Sequence, residues 1–169
     1  MSNVLPRDFF NRPAEEVAQD MLGTILVRQH DATILRGVIT EVEAYVGPHD
    51  LACHAAKGRT KRTEVMFGPA GTLYVYLVYG MHWMLNVVTG DEGYPAAVLI
   101  RGVNTVSGPA RLTKHFSIHG DLNGVPATKK HGLWLESGTA PQHIVRTPRI
   151  GIEYAGEYWA SKKLRFLSG

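Results

Sequence analysis

Between positions 71 and 88 the chain reads Gly-Thr-Leu-Tyr-Val-Tyr-Leu-Val-Tyr-Gly-Met-His-Trp-Met-Leu-Asn-Val-Val. These are two apolar stretches rich in β-branched and aromatic residues, the composition of strands, with almost nothing between them. A parallel return would need a crossover of a dozen or more residues, so residues 71–79 and 83–88 can pair only as an antiparallel hairpin, joined at Gly80-Met81. Turn tips are ordinarily polar, yet this one offers Tyr79, Met81 and His82. Either the whole hairpin lies in the core, or its tip stands out as an apolar knob of the kind that enters a base stack.

The pattern elsewhere extends the hairpin into a sheet. Residues 24–28 and 35–46 read as strands of a second hairpin around Gln29-His30-Asp31-Ala32, and residues 96–101 as a short buried strand. Further short strands are expected at 133–136, 150–152 and 164–167. One helix should start with Asn11 as its cap and Pro13 in its first turn, with Glu15 and Glu16 at its positive end and Gly23 as its stop. Its Ala14, Val17, Ala18, Met21 and Leu22 share a face that can pack on the sheet. A second helix is expected from the cap Ser107 through Pro109 to about Phe116. Residues 47–71 read as a long functional loop containing a short helical piece, and residues 120–132 as loop. The fold class is therefore mixed α/β (α+β), a largely antiparallel sheet with two or three helices.

At 169 residues the chain suits one domain spanning 1–169, large enough to bury roughly 70% of its unfolded surface without covalent staples. Its single cysteine, Cys53, can form neither an intrachain disulfide nor a Cys-rich zinc cage, and points to a reducing compartment. The start lacks a basic segment followed by an apolar run, and no stretch approaches the ~18 apolar residues of a membrane span, so a cytoplasmic protein without a membrane partner is expected. Charge is unevenly spread. Residues 1–50 carry 4 Lys/Arg against 8 Asp/Glu, and residues 51–169 carry 14 against 7. A polyanionic partner suits that later surplus, and a solvated surface explains it as readily.

Candidate chemistry begins at Glu41-Val-Glu43-Ala-Tyr45. Period-two geometry puts Ile39, Glu41, Glu43 and Tyr45 on one face of a strand. A carboxylate there could take a proton from water while the tyrosine ring stacks on a planar substrate; a solvated strand face is the alternative. His54 follows, then Lys57, Arg59, Lys61 and Arg62 with only Glu64 to offset them, a loop able to hold phosphates and present an imidazole to a pocket, or simply to be solvated. His115 and His119 have helical ligand spacing, but Gly120 ends any helix and no glutamate follows His115, so no metal site is expected. No phosphate loop, dinucleotide fingerprint or nucleophile elbow occurs, and no cofactor is expected. Cys53 beside His54 reads as packing.

Taken together, Glu41-Val-Glu-Ala-Tyr-Val-Gly-Pro-His-Asp50 with His54, Gly71-Thr-Leu-Tyr-Val-Tyr-Leu-Val-Tyr-Gly-Met81 with Asn86, and Val98-Leu-Ile-Arg101 resemble the alkyladenine (3-methyladenine) DNA glycosylase family. The likeness runs from Phe9-Phe10 through Gly108-Pro109 and Pro148-Arg-Ile-Gly to Leu164-Arg-Phe166. It implies a single mixed domain with a curved antiparallel sheet and a protruding hairpin. It also implies a monofunctional enzyme that flips a damaged purine from double-stranded DNA and hydrolyses its glycosidic bond, leaving an abasic site. By position, Glu43 corresponds to the base that activates water and Arg101 to a residue holding that water and the flipped nucleotide. Tyr45, His54 and Tyr76 correspond to the lining around the base, Tyr79 with Met81 to the residues that fill the vacated stack, and Asn86 to the residue that disfavours guanine. A monomer acting in the bacterial nucleoid, or in the nucleus of a eukaryote, is implied as well. His82, Trp83 and Thr63 depart from what is frequent in that family. Two other classes compete: a non-catalytic binder of damaged or single-stranded nucleic acid, which has no need of Glu43, and a free-nucleoside hydrolase, which has no use for an apolar tip or a basic surplus.

Overall fold

The computed structural model describes residues 3–169; Met1 and Ser2, part of the start read above, lie outside them. Among the described residues, four short helices and nine strands occur, and all strand pairs are antiparallel. The strands are β1 (Ile25–His30), β2 (Thr33–Tyr45), β3 (Leu73–Val78), β4 (His82–Val88), β5 (Ala97–Val103), β6 (Val106–Ser107), β7 (Leu133–Glu136), β8 (Ile144–Thr147) and β9 (Arg165–Ser168). The main path of the sheet runs β3-β4-β5-β2-β1-β7, while β6 adds to β5, and β9 joins β2 and carries β8. This is the mixed, largely antiparallel architecture expected from the sequence.

Strand β2 organises the sheet. Its first half pairs with β1 through a tight turn at Asp31-Ala32, and its second half pairs with β5 on one edge and β9 on the other. The two halves meet at an irregularity between Ile39 and Val42, where the register against β5 slips. An extra residue in one strand breaks the period of two. Ile39 therefore lies in the same apolar core as Val42 and Ala44. It does not share the face of Glu43, which corrects the simple alternation expected for Ile39, Glu41, Glu43 and Tyr45.

The two faces of the β2–β5–β4–β3 sheet have different tasks. Val42, Ala44, Val98, Ile100, Val87, Leu85, Leu73 and Val75 enter the main core with the apolar face of α2 (Ala14–Met21) and with Leu112 of α3 (Pro109–His115). The alternate residues face the candidate site described below.

Several local expectations are corrected. Asn11 caps no helix start: Arg7–Phe10 winds into its own turn, α1, which Asn11 closes, and Pro13 takes the position before α2. Ser107 is the end of β6, and Gly108, with φ +107°, precedes Pro109 at the start of α3. Residues 150–152 form no strand, because Ile150 turns its N–H onto a side chain of β2 and Gly151 adopts φ +75°; the strand of this region is β8 instead. The helix α4 (Glu157–Ser161) lies in a segment whose sequence gave no helical expectation. His115 ends α3 and His119 lies beyond it, and no cluster of metal-ligating side chains occurs among the described residues.

Candidate active site

One row of the sheet builds the floor. Register places Glu43 of β2 opposite Leu99 of β5, Leu99 opposite Asn86 of β4, and Asn86 opposite Tyr74 of β3. Directly paired residues point to the same face, so four adjacent strands deliver these side chains side by side. The rows on either side add Arg101, Met84 and Tyr76 on one flank and Tyr45 and Ala97 on the other. All of them line a cavity of about 200 Å³, closed by Cys53, His54, Met66, Ile150, Gly151 and Tyr154. Drug-sized ligand sites run to about 300–1,000 Å³, so this cavity lies at the small end and has room for a planar ring system.

The two neighbouring carboxylates have opposite environments. Glu41 Oε2 accepts hydrogen bonds from Arg101 Nε at 2.9 Å and Arg165 Nε at 2.7 Å. Burial alone would push its pKa up, but those two guanidinium groups outweigh burial and hold it below the usual carboxylate range. Glu43 is fully buried. Burial raises its pKa above the ordinary value, against the opposing pull of Arg101, the Ile150 N–H and Tyr45. Its Oε1 accepts from Tyr45 Oη at 2.9 Å and lies 3.7 Å from Arg101 Nη1, while its Oε2 accepts from Ile150 N at 2.7 Å. Glu41 is thus held as an anion in an ion-pair network, and Glu43 is a buried carboxylate with a raised pKa at the cavity wall. Two carboxylates whose environments push their pKa values apart can divide the work of charge and proton handling between them.

Aromatic groups form the rest of the lining. His54 Nδ1 and Tyr74 Oη share a 3.1 Å hydrogen bond, the His54 and Tyr76 rings meet edge to face at 4.5 Å, and Tyr74 and Tyr76 lie 5.2 Å apart. Burial, with Arg62 and Lys57 nearby, lowers the His54 pKa, which keeps the imidazole neutral at neutral pH. Burial pushes the Tyr74 phenol up to about 12 and raises Tyr76 and Tyr45 as well. These rings are uncharged at neutral pH. Asn86 is buried and donates from Nδ2 to the Tyr74 carbonyl at 3.1 Å, which fixes its carboxamide at the cavity wall. Cys53 is a buried thiol whose pKa burial pushes up to about 11, too protonated to be a nucleophile.

Lys57, Arg59, Lys61 and Arg62 are all exposed, and Lys57 and Arg62 line a groove next to the cavity. Arg62 donates to the Leu77 carbonyl at 3.1 Å and lies over the Tyr76 ring, linking the basic loop to the hairpin. Arg59 pairs with Glu64 at 3.3 Å. Thr63, one of the departures noted above, is buried and donates to the Gly58 carbonyl at 2.9 Å, closing the loop on itself. At the hairpin tip Tyr79 is 90% exposed and Met81 68% exposed, so the tip stands out of the fold and the fully buried arrangement is excluded. The turn centres on Tyr79-Gly80, with φ +53° and +65°, one residue earlier than expected. Two positive φ angles suit the twist of a tight hairpin, and Gly80 adopts its angle without cost while Tyr79 does not.

The candidate residues named from the sequence therefore converge: Glu43, Arg101, Tyr45, His54, Tyr76 and Asn86 share one cavity, with Tyr79 and Met81 on the hairpin and the basic loop beside it. Sequence reasoning missed Tyr74, Tyr154 and the Ile150 N–H within the site, and the Arg165–Glu41 pair behind it. Tyr74 was visible as part of the β3 alternation. The others come from residues more than 100 positions away from Glu43, where no local spacing signals them.

The methylpurine-DNA glycosylase profile matches residues 8–108 and 102–169. The chain belongs to this family. Its class of chemistry is that of an N-glycosyl hydrolase acting on alkylated purines. Relatives provisionally named 3-methyladenine DNA glycosylases include one from Methanocella arvoryzae, 47% identical over 91% of this chain and 87% of the relative. One from Myxococcus xanthus is 48% identical over 96% and 89%, and one from Wolbachia pipientis wMel is 46% identical over 98% and 94%. Among the described residues, no helix of this family member is long and apolar enough to cross a membrane.

Proposed function

We propose that this chain is a monofunctional, monomeric DNA glycosylase that extrudes an alkylated or otherwise damaged purine from double-stranded DNA. It hydrolyses the N-glycosidic bond with water activated by Glu43 and leaves an abasic site. The observation that carries this reading is the placement of one buried carboxylate with a raised pKa at the wall of a base-sized aromatic cavity. Ionised Glu43 takes a proton as the water oxygen attacks the anomeric carbon, and the bond to the purine nitrogen breaks with its electrons leaving on the base. Alkylation on a ring nitrogen makes the base cationic, which eases its departure and favours stacking on the electron-rich rings of Tyr45 and Tyr76. Arg101 lies between Glu41 and Glu43 and can steady both the water and the nucleotide. The cavity presents no lysine as a nucleophile, so base release proceeds without strand cleavage.

The exposed tip supports duplex DNA over a free nucleoside as the substrate: Tyr79 and Met81 gain nothing from water and can fill the gap a flipped base leaves. The basic loop supports the same substrate, and the buried Glu43 supports catalysis over simple binding. The test is incubation with duplexes that each carry one defined lesion, followed by alkali to reveal abasic sites. Breaks confined to alkylpurine duplexes after alkali, and absent before it, are expected. Release from none of them, or cleavage before alkali, would overturn the reading.

A further inference from the structure

Behind the cavity wall lies a buried ion pair that the proposed reaction does not use. Arg149 donates from Nη1 to Asp50 Oδ2 at 2.6 Å and from Nη2 to Oδ1 at 3.0 Å, and both side chains are fully buried. Asp50 also accepts from the N–H groups of Val46 at 3.1 Å and Ala52 at 3.0 Å. Arg149 donates from Nη1 to the Ala44 carbonyl at 3.0 Å, and its guanidinium carbon lies 4.9 Å from the centre of the Tyr45 ring. Its Nε has no partner. As a stabilising device this arrangement is poor, since desolvation of two charges cancels much of their attraction and well-packed apolar residues of similar volume often do better.

Its value lies in what it holds. Ala44 and Tyr45 follow Glu43 directly on β2, and the Tyr45 hydroxyl donates to Glu43 Oε1. The residue after Arg149 is Ile150, whose N–H donates to Glu43 Oε2. A forked guanidinium can grip carboxylate, carbonyl and ring at once in a single orientation. We propose that Asp50 and Arg149 are positioning residues for Glu43, clamping the 148–151 segment to β2 so that the Ile150 N–H and the Tyr45 hydroxyl aim both carboxylate oxygens. This rests on the reading of Glu43 as the base. The charged and titratable groups facing Glu43 are Tyr45 on its own strand, Tyr76 on β3, Arg101 on β5, and Arg149 and Tyr154 from the closing segment.

The experiment uses the full chain and the substitutions Arg149→Lys, Asp50→Asn and Ile150→Pro. Single-turnover base release at saturating lesion duplex is measured against pH, beside lesion-duplex affinity, thermal unfolding and hydrogen exchange of the Ile150 amide. Arg149→Lys keeps the charge but loses the fork. Its rate should fall by about 100-fold, the scale expected when a reacting group is displaced by about an ångström. Affinity should hold, the acidic limb should move to higher pH, and the Ile150 amide should exchange faster. Asp50→Asn separates position from charge: if Arg149 acted only through its charge, removing Asp50 would move the limb to lower pH, whereas lost positioning moves it higher. Ile150→Pro deletes the N–H without removing either charge of the ion pair, so it should reproduce the rate loss and the upward shift even if the ion-pair variants fail to fold. A limb moved down in Asp50→Asn, or wild-type rate and pH profile in folded Arg149→Lys or Ile150→Pro, would overturn the proposal. A wild-type protein inactive on every lesion defeats the glycosylase reading instead, and in that case unchanged Ile150 exchange in Arg149→Lys still overturns the clamp.

Discussion

Glu41 and Glu43 sit two residues apart on one strand and carry opposite electrostatic consequences. The Glu41 pKa is lowered, so its ion pairs contribute stability above the ordinary carboxylate pKa, and that stability is lost as pH falls through the depressed value. The Glu43 pKa is raised, so the fold holds its proton more tightly than the unfolded chain, and stability falls as pH rises from the ordinary value through the raised one. Glu43→Gln should therefore unfold at a higher temperature than wild type at neutral pH, with the gap closing in acid, as thermal scans at several pH values would reveal. The same substitution should lower base release by at least about 10²–10⁴-fold, the usual contribution of a general base, with lesion-duplex affinity largely kept. Turnover near wild type would remove Glu43 from this role. In the wild type, single-turnover release should rise with pH through a midpoint above the ordinary carboxylate range. Asn86 offers another test. Its carboxamide is pinned by the Tyr74 carbonyl, so Asn86→Ser should open room for an exocyclic amine and give measurable release of undamaged guanine. If only damaged bases are still released, selectivity rests elsewhere.

The β3–β4 hairpin is the element whose sequence and conformation disagree most. Tyr79 holds φ +53°, a region in which a residue with a Cβ costs roughly 1–2 kcal/mol, and its ring lies in water. Strain of this kind at an exposed aromatic residue is consistent with a part in binding. Tyr79→Ala should leave stability within about 0.5 kcal/mol of wild type, as for other surface changes, because no cavity forms. It should nevertheless weaken lesion binding and excision on paired duplex, less so where the lesion is already unpaired and cheaper to extrude. Tyr79→Gly should be at least as stable as Tyr79→Ala, since glycine adopts positive φ freely, and equally defective. A large loss of stability with equal defects on paired and unpaired lesions would refute the wedge. The irregularity in β2 acts at the same scale: it lets Ile39 and Val42 both serve the core while Glu41 and Glu43 face their arginine partners.

Across the whole molecule, one face of the main sheet packs the core and the other carries the cavity, so a single layer of strands serves both stability and chemistry. Lys57, Arg59, Lys61 and Arg62 are exposed, and Lys57 and Arg62 line a groove that shares Cys53, His54 and Tyr154 with the cavity. Duplex binding should weaken linearly in log Kd against log salt, with a slope near 0.9 for each phosphate neutralised. Titration of binding across 50–200 mM salt checks this, and a flat response would favour the free-nucleoside alternative.

Local signals in the chain were sufficient for the hairpins, the face of α2, the strands at 133–136 and in the 35–46 segment, and the candidacy of Glu43, Tyr45 and His54, whereas Tyr76, Asn86 and Arg101 became candidates only through the family resemblance. Each depends on periodicity, turn chemistry or motif order over a few dozen residues, which are properties of neighbouring positions. Strand boundaries drifted by a few residues, and the cap roles of Asn11 and Ser107 failed, because helix starts depend on how the preceding turn packs. Only tertiary structure determined which of two similar glutamates is locked and which is poised. That choice rests on Arg101, Arg165 and the Ile150 N–H, brought from 58 to 124 residues away by strand pairing. It also settled the exposure of the hairpin tip and the burial of Asp50 with Arg149. Burial and long-range electrostatics are set by what packs nearby in space, and no spacing along the chain encodes them.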